Sequence, residues 1–222
     1  MAAAPPRDIR VLIVDDHRMF GESMSRLLGD EPDITVVGVA ASGSQGLALA
    51  DRTAPDVALV DYVMPDMDGA VVAERLKAAR PEVMVVMVTG SADDRVLIAA
   101  IEAGCSGFVT KDQVADEVAN AVRVAASGEA VITPPMLARL LPRLRPAEEH
   151  RPAATPLSPR EREVLELLAA GASNQAIAGS LSVTVNTVRN HVQSVLTKLG
   201  AHSKLEAVSL GVREGIIAFP ST

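Results

Sequence analysis

Five polar residues that could carry out phosphoryl chemistry recur where short apolar runs end. Asp15 and Asp16 follow the first run, and Asp61 follows the third. Thr89 follows the fourth run and Lys111 the fifth. Three crowded carboxylates repel one another unless a cation shares them, and hard oxygen ligands select Mg²⁺. The spacing therefore predicts a magnesium site at which one carboxylate is a nucleophile, with a hydroxyl and an ammonium group nearby.

Short apolar runs alternate with helical patterns between residues 9 and 127, which is typical of a parallel sheet flanked by helices. We predict strands at residues 9–14, 34–39, 57–60, 83–88 and 107–109. The carboxyl ends of parallel strands meet at one edge of the sheet, where such folds bind ligands. The sequence therefore predicts a doubly wound α/β domain that brings the polar residues to a single edge.

Each of these residues also has an ordinary structural explanation. An aspartate after a strand often starts a turn, a lone lysine is usually solvated, and Thr89 by itself would cap a helix. Phe108, three positions before Lys111, fits a core position as well as a functional one. The five polar groups at the ends of successive inner strands nevertheless favour one shared site.

Composition and charge narrow the class of protein. The 222 residues suit two domains, and the chain shows neither a signal-peptide pattern nor an apolar run long enough to span a membrane, so we expect a cytoplasmic protein. Residues 1–130 carry 11 basic and 21 acidic side chains, whereas residues 131–222 carry 10 and 7. Residues 131–222 are therefore the part expected to bind nucleic acid. Cys105 is expected to be a buried thiol, and the histidines lack the spacing of a zinc site.

Residues 141–156 are rich in proline, arginine and glutamate and indicate a linker. Only helical patterns follow. Helices are predicted near residues 159–170, 174–180, 185–199 and 204–214. Ser158 and Ser203 begin capping boxes, each with a glutamate three positions later, and Gly171 and Gly200 stand where helices should end. The pattern predicts a small all-α domain of four helices.

The third of these helices has two contrasting faces. One is an apolar stripe formed by Val185, Val188, Val192, Val195, Leu196 and Leu199. The opposite face carries Asn186, Arg189, Asn190, Gln193 and Thr197. Arginine suits guanine, and asparagine or glutamine suits adenine. A solvated helix usually mixes charges of both signs, whereas this face lacks acidic residues, so we predict that it contacts DNA rather than water alone.

The first part of the chain resembles a receiver domain of a bacterial response regulator. The matching segments are Asp15-Asp16, residues 60–69, Thr89-Gly90 and residues 108–111. The resemblance implies a flavodoxin-like five-stranded fold in which Asp61 is the phosphoacceptor. It implies that Mg²⁺ is held by Asp15, Asp16, Asp61 and the backbone carbonyl of Val63. It also implies that Thr89 and Lys111 bind the phosphoryl oxygens and that Thr89 and Phe108 act as the switch, with Phe108 moving inward.

The second part resembles the LuxR-type helix-turn-helix. The matching segments are residues 157–165, 171–174, 177–178, 187–191 and 198–200. The resemblance implies that the helix at 185–199 enters the major groove. The expected DNA-contacting residues are Asn186, Thr187, Arg189, Asn190, His191, Gln193 and Lys198. His191 either approaches a phosphate or packs. Ala176, Gln193 and Lys204 depart from residues that the family often has, which bears on base preference and affinity rather than on the fold.

Together the two parts resemble the NarL/FixJ family of transcriptional regulators. The expected organisation is a receiver at residues 1–130, a linker at 131–156 and a DNA-binding domain at 157–222. The resemblance implies a histidine kinase as phosphodonor, double-stranded DNA with an inverted repeat as operator, and a homodimer when active. The resemblance is also compatible with RNA polymerase as a further partner. Phosphorylation would either uncover the DNA-binding domain or drive dimerisation, and no enzymatic activity is expected.

Three other functions stay open. A phosphatase of the haloacid dehalogenase type uses similar groups, but it needs an Asp-x-Asp motif where this chain has Asp15, Asp16 and His17. A regulator whose receiver only dimerises would require no modification of Asp61. A protein-binding adaptor would select no DNA.

Overall fold

The computed structural model describes residues 8–90, 93–111, 115–143 and 156–218. These residues form two compact units. The first comprises the described residues up to 90 together with 107–131, and the second comprises 93–106 with the described residues from 132 onward. Within these ranges, no helix has the length and apolar character needed to cross a membrane.

A five-stranded parallel sheet forms the centre of the first unit. Its strands are β1 (Ile9–Val14), β2 (Ile34–Ala40), β3 (Val57–Asp61), β4 (Met84–Thr89) and β5 (Gly107–Thr110). Their order across the sheet is β2-β1-β3-β4-β5, which is the flavodoxin-like arrangement. The predicted α/β fold is therefore confirmed, and each strand agrees with its predicted range to within one residue.

Helices cover both faces of this sheet, as expected for strands whose residues are almost all apolar. The helices of the first unit are α1 (Arg18–Gly29), α2 (Gly43–Thr53), α3 (Gly69–Ala79) and α5 (Ala115–Ala126). Val11 and Ile13 share one core cluster with Leu28 of α1 and Val118 of α5. Val14 contacts Gly46 of α2 on the other side of β1, where an added Cβ would lie 2.7 Å from a valine methyl group.

The second unit is helical. Its helices are α4 (Asp94–Glu102), α6 (Pro134–Leu140), α7 (Pro159–Ala169), α8 (Asn174–Leu181), α9 (Val185–Leu199) and α10 (Lys204–Arg213), with a 3-10 turn at Leu141–Arg143. The last four helices agree with the predicted ranges to within one residue. In contrast, α6 and the 3-10 turn lie inside the segment that was predicted to be a linker. Within the predicted linker at 131–156, residues 144–155 are outside the described residues.

Helix α4 belongs to the second unit because it packs against α6 and α10. The carboxylate of Asp94 lies 3.2 Å from a guanidinium nitrogen of Arg139 and 2.7 Å from one of Arg143. Leu137, Leu140 and Leu141 are buried, so tertiary packing supports a helix in a segment that contains three prolines. The domain limits at residues 130 and 157 stay predictions.

The caps of the carboxy-terminal helices largely follow the sequence signals. At α7, Ser158 accepts a hydrogen bond from the Glu161 backbone, and the Glu161 carboxylate accepts one from the Ser158 backbone. At α10, Ser203 caps Glu206 in the same way, but the Glu206 carboxylate accepts from the His202 backbone instead. In the second box, the backbone N–H that donates to the glutamate carboxylate therefore belongs to the residue before the N-cap. Gly171 and Gly200 adopt positive φ angles of 78° and 66°, as expected where helices end.

Candidate functional site

An acidic cleft lies at the carboxyl edge of the parallel sheet. Asp15 directly follows β1, Asp61 ends β3, Thr89 ends β4 and Lys111 directly follows β5. The first two are only 2% and 4% exposed. An open cleft of about 520 Å³ is lined by Asp16, His17, Asp61, Val63, Met64, Pro65, Thr89, Gly90 and Lys111. The sheet thus brings the predicted polar residues to one edge.

The ammonium group of Lys111 is the cation nearest to the buried carboxylates. Its Nζ donates a hydrogen bond of 2.7 Å to Asp61 Oδ2 and lies 2.8 Å from Asp15 Oδ2. The same nitrogen lies 5.0 Å from the centre of the Phe20 ring, on α1. Lys111 therefore compensates two carboxylates while resting over an aromatic face.

Burial and charge act in opposite directions on these groups. Burial raises the pKa of Asp61, and the nearby Asp15 charge adds to this rise, although the hydrogen bond from Lys111 opposes it. Burial alone would lower the pKa of Lys111, but its hydrogen bonds with Asp15 and Asp61 outweigh that effect and raise it. Positive charge beside Asp61 therefore stabilises the ionised form of its carboxyl group.

His17 completes a group of four side chains that could hold a metal ion. One donor atom from each of Asp15, Asp16, His17 and Asp61 lies within 4.8 Å of all the others. The imidazole Nδ1 is 2.9 Å from Asp16 Oδ1, 3.4 Å from Asp15 Oδ1 and 4.0 Å from Asp61 Oδ2. The spacing of the histidines along the chain predicts no metal site, so His17 was missed among the predicted site residues. The signal that could have placed His17 at the site is its position directly after Asp15 and Asp16.

The donor set fits a hard divalent cation. Three carboxylates supply the oxygen atoms that Mg²⁺ prefers. The buried oxygen Asp16 Oδ1 accepts no hydrogen bond from any of the described residues, even though His17 Nδ1 is near. A buried carboxylate oxygen without a donor is costly unless a cation or water serves it. The Asp cluster is thus suited to the Mg²⁺ that receiver domains typically bind.

The remaining predicted residues of the cleft occupy different environments. Val63 directs its side chain outward, 69% exposed, while its backbone N–H donates to Asp61 Oδ1 at 3.4 Å. Thr89 is buried, and its carbonyl accepts a hydrogen bond of 3.1 Å from the Lys111 backbone. Phe108 is only 9% exposed, and it is not among the described residues that line the cleft. The movement expected of Phe108 stays a prediction.

A second candidate site lies on α9 in the helical unit. Val188, Val192 and Val195 are buried and form the centre of the predicted apolar stripe. Asn186, Arg189, Asn190, Gln193 and Thr197 are all exposed. The helix contains no acidic residue. The predicted polar face is therefore available on the surface of the unit that contains it.

Three of the predicted DNA contacts are less exposed than the others, and two of them form contacts within their own domain. Thr187 donates its backbone N–H to the N-cap residue Thr184 at 3.1 Å, and the two hydroxyl oxygens are 2.8 Å apart. Lys198 forms an ion pair of 2.7 Å with the buried carboxylate of Glu161. His191 is half-buried. Their contact with DNA stays a prediction, with less support than for the exposed residues.

Two family models match separate parts of the chain. The family model described as the response regulator receiver domain matches residues 11–123. The model for bacterial regulatory proteins of the LuxR family matches residues 155–210. The first match holds the acidic cleft, and the second holds α9.

Two similar proteins extend over nearly the whole chain, and a third matches its receiver part. The response regulator protein VraR of Staphylococcus aureus is 36% identical over 209 residues, covering 94% of this chain and 99% of VraR. The crystal structure of the response regulator ChrA, from a heme-sensing two-component system, is 30% identical with a TM-score of 0.50, covering 95% of this chain and 99% of ChrA. The receiver domain of the putative response regulator NarL from Mycobacterium tuberculosis is 35% identical with a TM-score of 0.54, covering 56% of this chain and all of that one.

These matches confirm the resemblance drawn from the motifs. Members of this family are DNA-binding transcriptional regulators of two-component systems and are not typically enzymes. The chain belongs to the response regulators that join a receiver domain to a LuxR-type DNA-binding domain.

Proposed function

We propose that Asp61 accepts a phosphoryl group from a histidine kinase and that this modification changes DNA binding or dimerisation. The observation that carries the proposal is the pairing of Asp61 with Lys111 at 2.7 Å at the wall of an open cleft. A carboxylate whose charge is compensated and which lines a cleft that a phosphodonor can enter can act as a nucleophile. The proposed domain limits are 1–130 for the receiver, 131–156 for the linker and 157–222 for the DNA-binding domain.

The proposed reaction is a direct phosphoryl transfer. A carboxylate oxygen of Asp61 attacks the phosphorus atom and forms a P–O bond. The P–N bond of a phosphohistidine that is protonated on its other ring nitrogen breaks, and neutral imidazole leaves. With acetyl phosphate as donor, a P–O bond breaks and acetate leaves. The product is an acyl phosphate on Asp61 in either case.

The neighbours of Asp61 have separate roles in this proposal. Asp15, Asp16, Asp61 and the Val63 carbonyl would hold Mg²⁺, which would offset the negative charge of the phosphoryl oxygens. The ammonium of Lys111 is already within ion-pair distance of Asp61 and would shift to a phosphoryl oxygen. The Thr89 hydroxyl would donate to another oxygen, and Phe108 would respond to that change.

The proposed output is sequence-specific binding of double-stranded DNA by α9. Arg189 is exposed in the first half of the helix, where recognition helices approach base edges. A homodimer would place two such helices on one face of the duplex, which favours an inverted-repeat operator. Because this DNA lies in the bacterial cytoplasm, the regulator would act there, with RNA polymerase as a further candidate partner.

The test is a mobility-shift titration of operator DNA with and without acetyl phosphate and Mg²⁺. The parent protein should bind more tightly after treatment with the donor. The Asp61→Asn variant keeps the shape of the side chain but cannot form an acyl phosphate, so its affinity should not respond. An equal response of variant and parent would overturn the proposal.

A further inference from the structure

The loop of residues 62–68 connects β3 to α3 and lies against the proposed phosphoacceptor. At its ends, the Gly69 N–H donates to the Tyr62 carbonyl at 2.7 Å. A Cβ on Gly69 would lie 2.4 Å from the Asp61 carbonyl oxygen, so only glycine permits this close approach. The base of the loop is therefore fixed beside Asp61 by backbone contacts.

The far side of the loop is fixed by a side chain. The Asp66 carboxylate accepts hydrogen bonds from the Gly43 N–H at 3.1 Å, the Ser44 N–H at 3.0 Å and the Ser44 hydroxyl at 2.5 Å. Gly43 and Ser44 are the first two residues of α2, so a negative charge also meets the positive end of the helix dipole. These bonds lower the pKa of Asp66 to about 2, so its carboxylate is ionised throughout the neutral range and anchors the loop as an anion.

Packing supports the same docking of the loop on α2. A Cβ on Gly43 would lie 2.5 Å from Met67 Cγ, which shows how closely Met67 approaches the helix. Helix α2 has its own N-cap as well, because the Ser42 hydroxyl accepts from the Gln45 N–H at 3.3 Å. The cap of α2 therefore does not depend on Asp66, and the main effect of the Asp66 hydrogen bonds is to tether the loop to the helix.

We propose that Asp66 is a positioning residue for the cation site: it fastens the loop to α2 and so keeps the Val63 backbone beside Asp61. The inference rests on the proposed function, since it presupposes that the Val63 carbonyl and Asp61 share a divalent cation. An untethered loop samples more conformations, and binding the cation would then have to order it. Loss of the anchor should weaken cation binding even though Asp66 lies outside the donor set.

The test is a Mg²⁺ titration of the full chain followed by the fluorescence of Tyr62. The chain has one tyrosine and no tryptophan, so the signal comes from the loop itself. Removing partners that orient metal ligands typically weakens metal binding by about 10- to 100-fold, and an anchor one step further away should cost roughly three- to tenfold in Asp66→Ala. Asp68→Ala is the matched control. It removes the same charge from the same loop, and the Asp68 side chain makes no cap hydrogen bond.

Two further variants separate positioning from general destabilisation. Ser44→Ala should weaken Mg²⁺ binding in the same direction, and adding it to Asp66→Ala should have little extra effect because both changes break one anchor. Asp66→Asn retains one acceptor oxygen and should recover part of the affinity. The rate of phosphorylation by acetyl phosphate in Asp66→Ala should return towards the parent rate at saturating Mg²⁺.

The outcomes are distinct. Equal Mg²⁺ affinity of Asp66→Ala and Asp68→Ala would overturn the inference while leaving the proposed function intact. A parent protein that does not respond to Mg²⁺ would overturn the proposed cation site and the inference together. Weaker binding in Asp66→Ala alone, with partial recovery in Asp66→Asn, would support it.

Discussion

Lys111 Nζ lies 2.7 Å from Asp61 Oδ2 and 2.8 Å from Asp15 Oδ2, so one ammonium group compensates two buried carboxylates that come from different strands. This relationship gives the cleft an internal cation. An incoming divalent ion would share the carboxylates with Lys111 and be repelled by its charge.

Lys111→Met should therefore bind Mg²⁺ more tightly than the parent while accepting phosphate more slowly. Charges of +2 and +1 about 5 Å apart repel by on the order of 1 to 2 kcal/mol even at the dielectric constant of water, which corresponds to roughly tenfold in affinity. Phosphorylation should slow because no ammonium remains to meet the phosphoryl oxygens. Calorimetric Mg²⁺ titration and acetyl phosphate kinetics measure the two effects separately.

A control variant guards against a general charge effect. Arg52→Met removes a positive charge from the last turn of α2, the end of the helix opposite to the one that contacts the loop of residues 62–68. It should leave both measurements near the parent values. Weaker Mg²⁺ binding in Lys111→Met would mean that the lysine organises the carboxylates more than it competes with the ion.

The ion pair between Glu161 and Lys198 predicts a pH dependence of stability in the helical unit. Glu161 is 6% exposed, and the hydrogen bond from Lys198 is the main reason that its pKa lies below the usual value. Folding thus favours the ionised form. The resulting stability is present above the unfolded pKa of about 4.5 and is lost as the pH falls through the lower folded pKa.

Glu161→Gln should therefore melt at a lower temperature than the parent at pH 7, and the gap should narrow as the pH falls below about 4.5. Thermal unfolding of the full chain, followed by circular dichroism between pH 3 and pH 7, measures this. Glu163→Gln, which loses an exposed pair with Arg160, is the control and should show a small effect at every pH. A gap that stays constant with pH would contradict the assignment of the shift to Glu161.

Arg189→Ala should lose about 1 to 3 kcal/mol of binding free energy on operator DNA if the guanidinium pairs with a guanine. The structural basis is the exposure of Arg189 on a helix without acidic residues. Affinity for a duplex of unrelated sequence should change far less, since a base contact contributes to specificity. Fluorescence anisotropy with both duplexes separates these cases, and an equal loss on both would assign Arg189 to a phosphate contact instead.

Much of the architecture follows from local sequence signals. Strands β3 and β4 are continuous apolar runs, and the positions of Asp61 and Thr89 at their ends place both residues at the carboxyl edge once the sheet is parallel. Helices α7 and α9 begin at serine and threonine caps and carry apolar stripes at helical spacing. These features depend on residues close in sequence, which is why their limits agree with the structure.

Other features depend on contacts between residues distant in sequence. Helix α6 lies within the linker limits predicted at 131–156 but before the proline-rich stretch at 141–156, and tertiary packing buries its Leu137 and Leu140. The contact of Asp66 with Ser44 joins residues 22 positions apart, and neither residue type indicates it. Phe20 lies beneath Lys111 through the docking of α1, for which the sequence carries no specific signal.

The most direct test is to locate the covalent adduct. The chain of 222 residues is incubated with acetyl phosphate and Mg²⁺, and its peptides are sequenced by tandem mass spectrometry, with Asp61→Asn treated in parallel. We predict one phosphoryl group on Asp61 in the parent and none in the variant. An adduct on another residue would contradict the assignment of Asp61, and no adduct in the parent would contradict phosphorylation itself and favour a receiver that works without it.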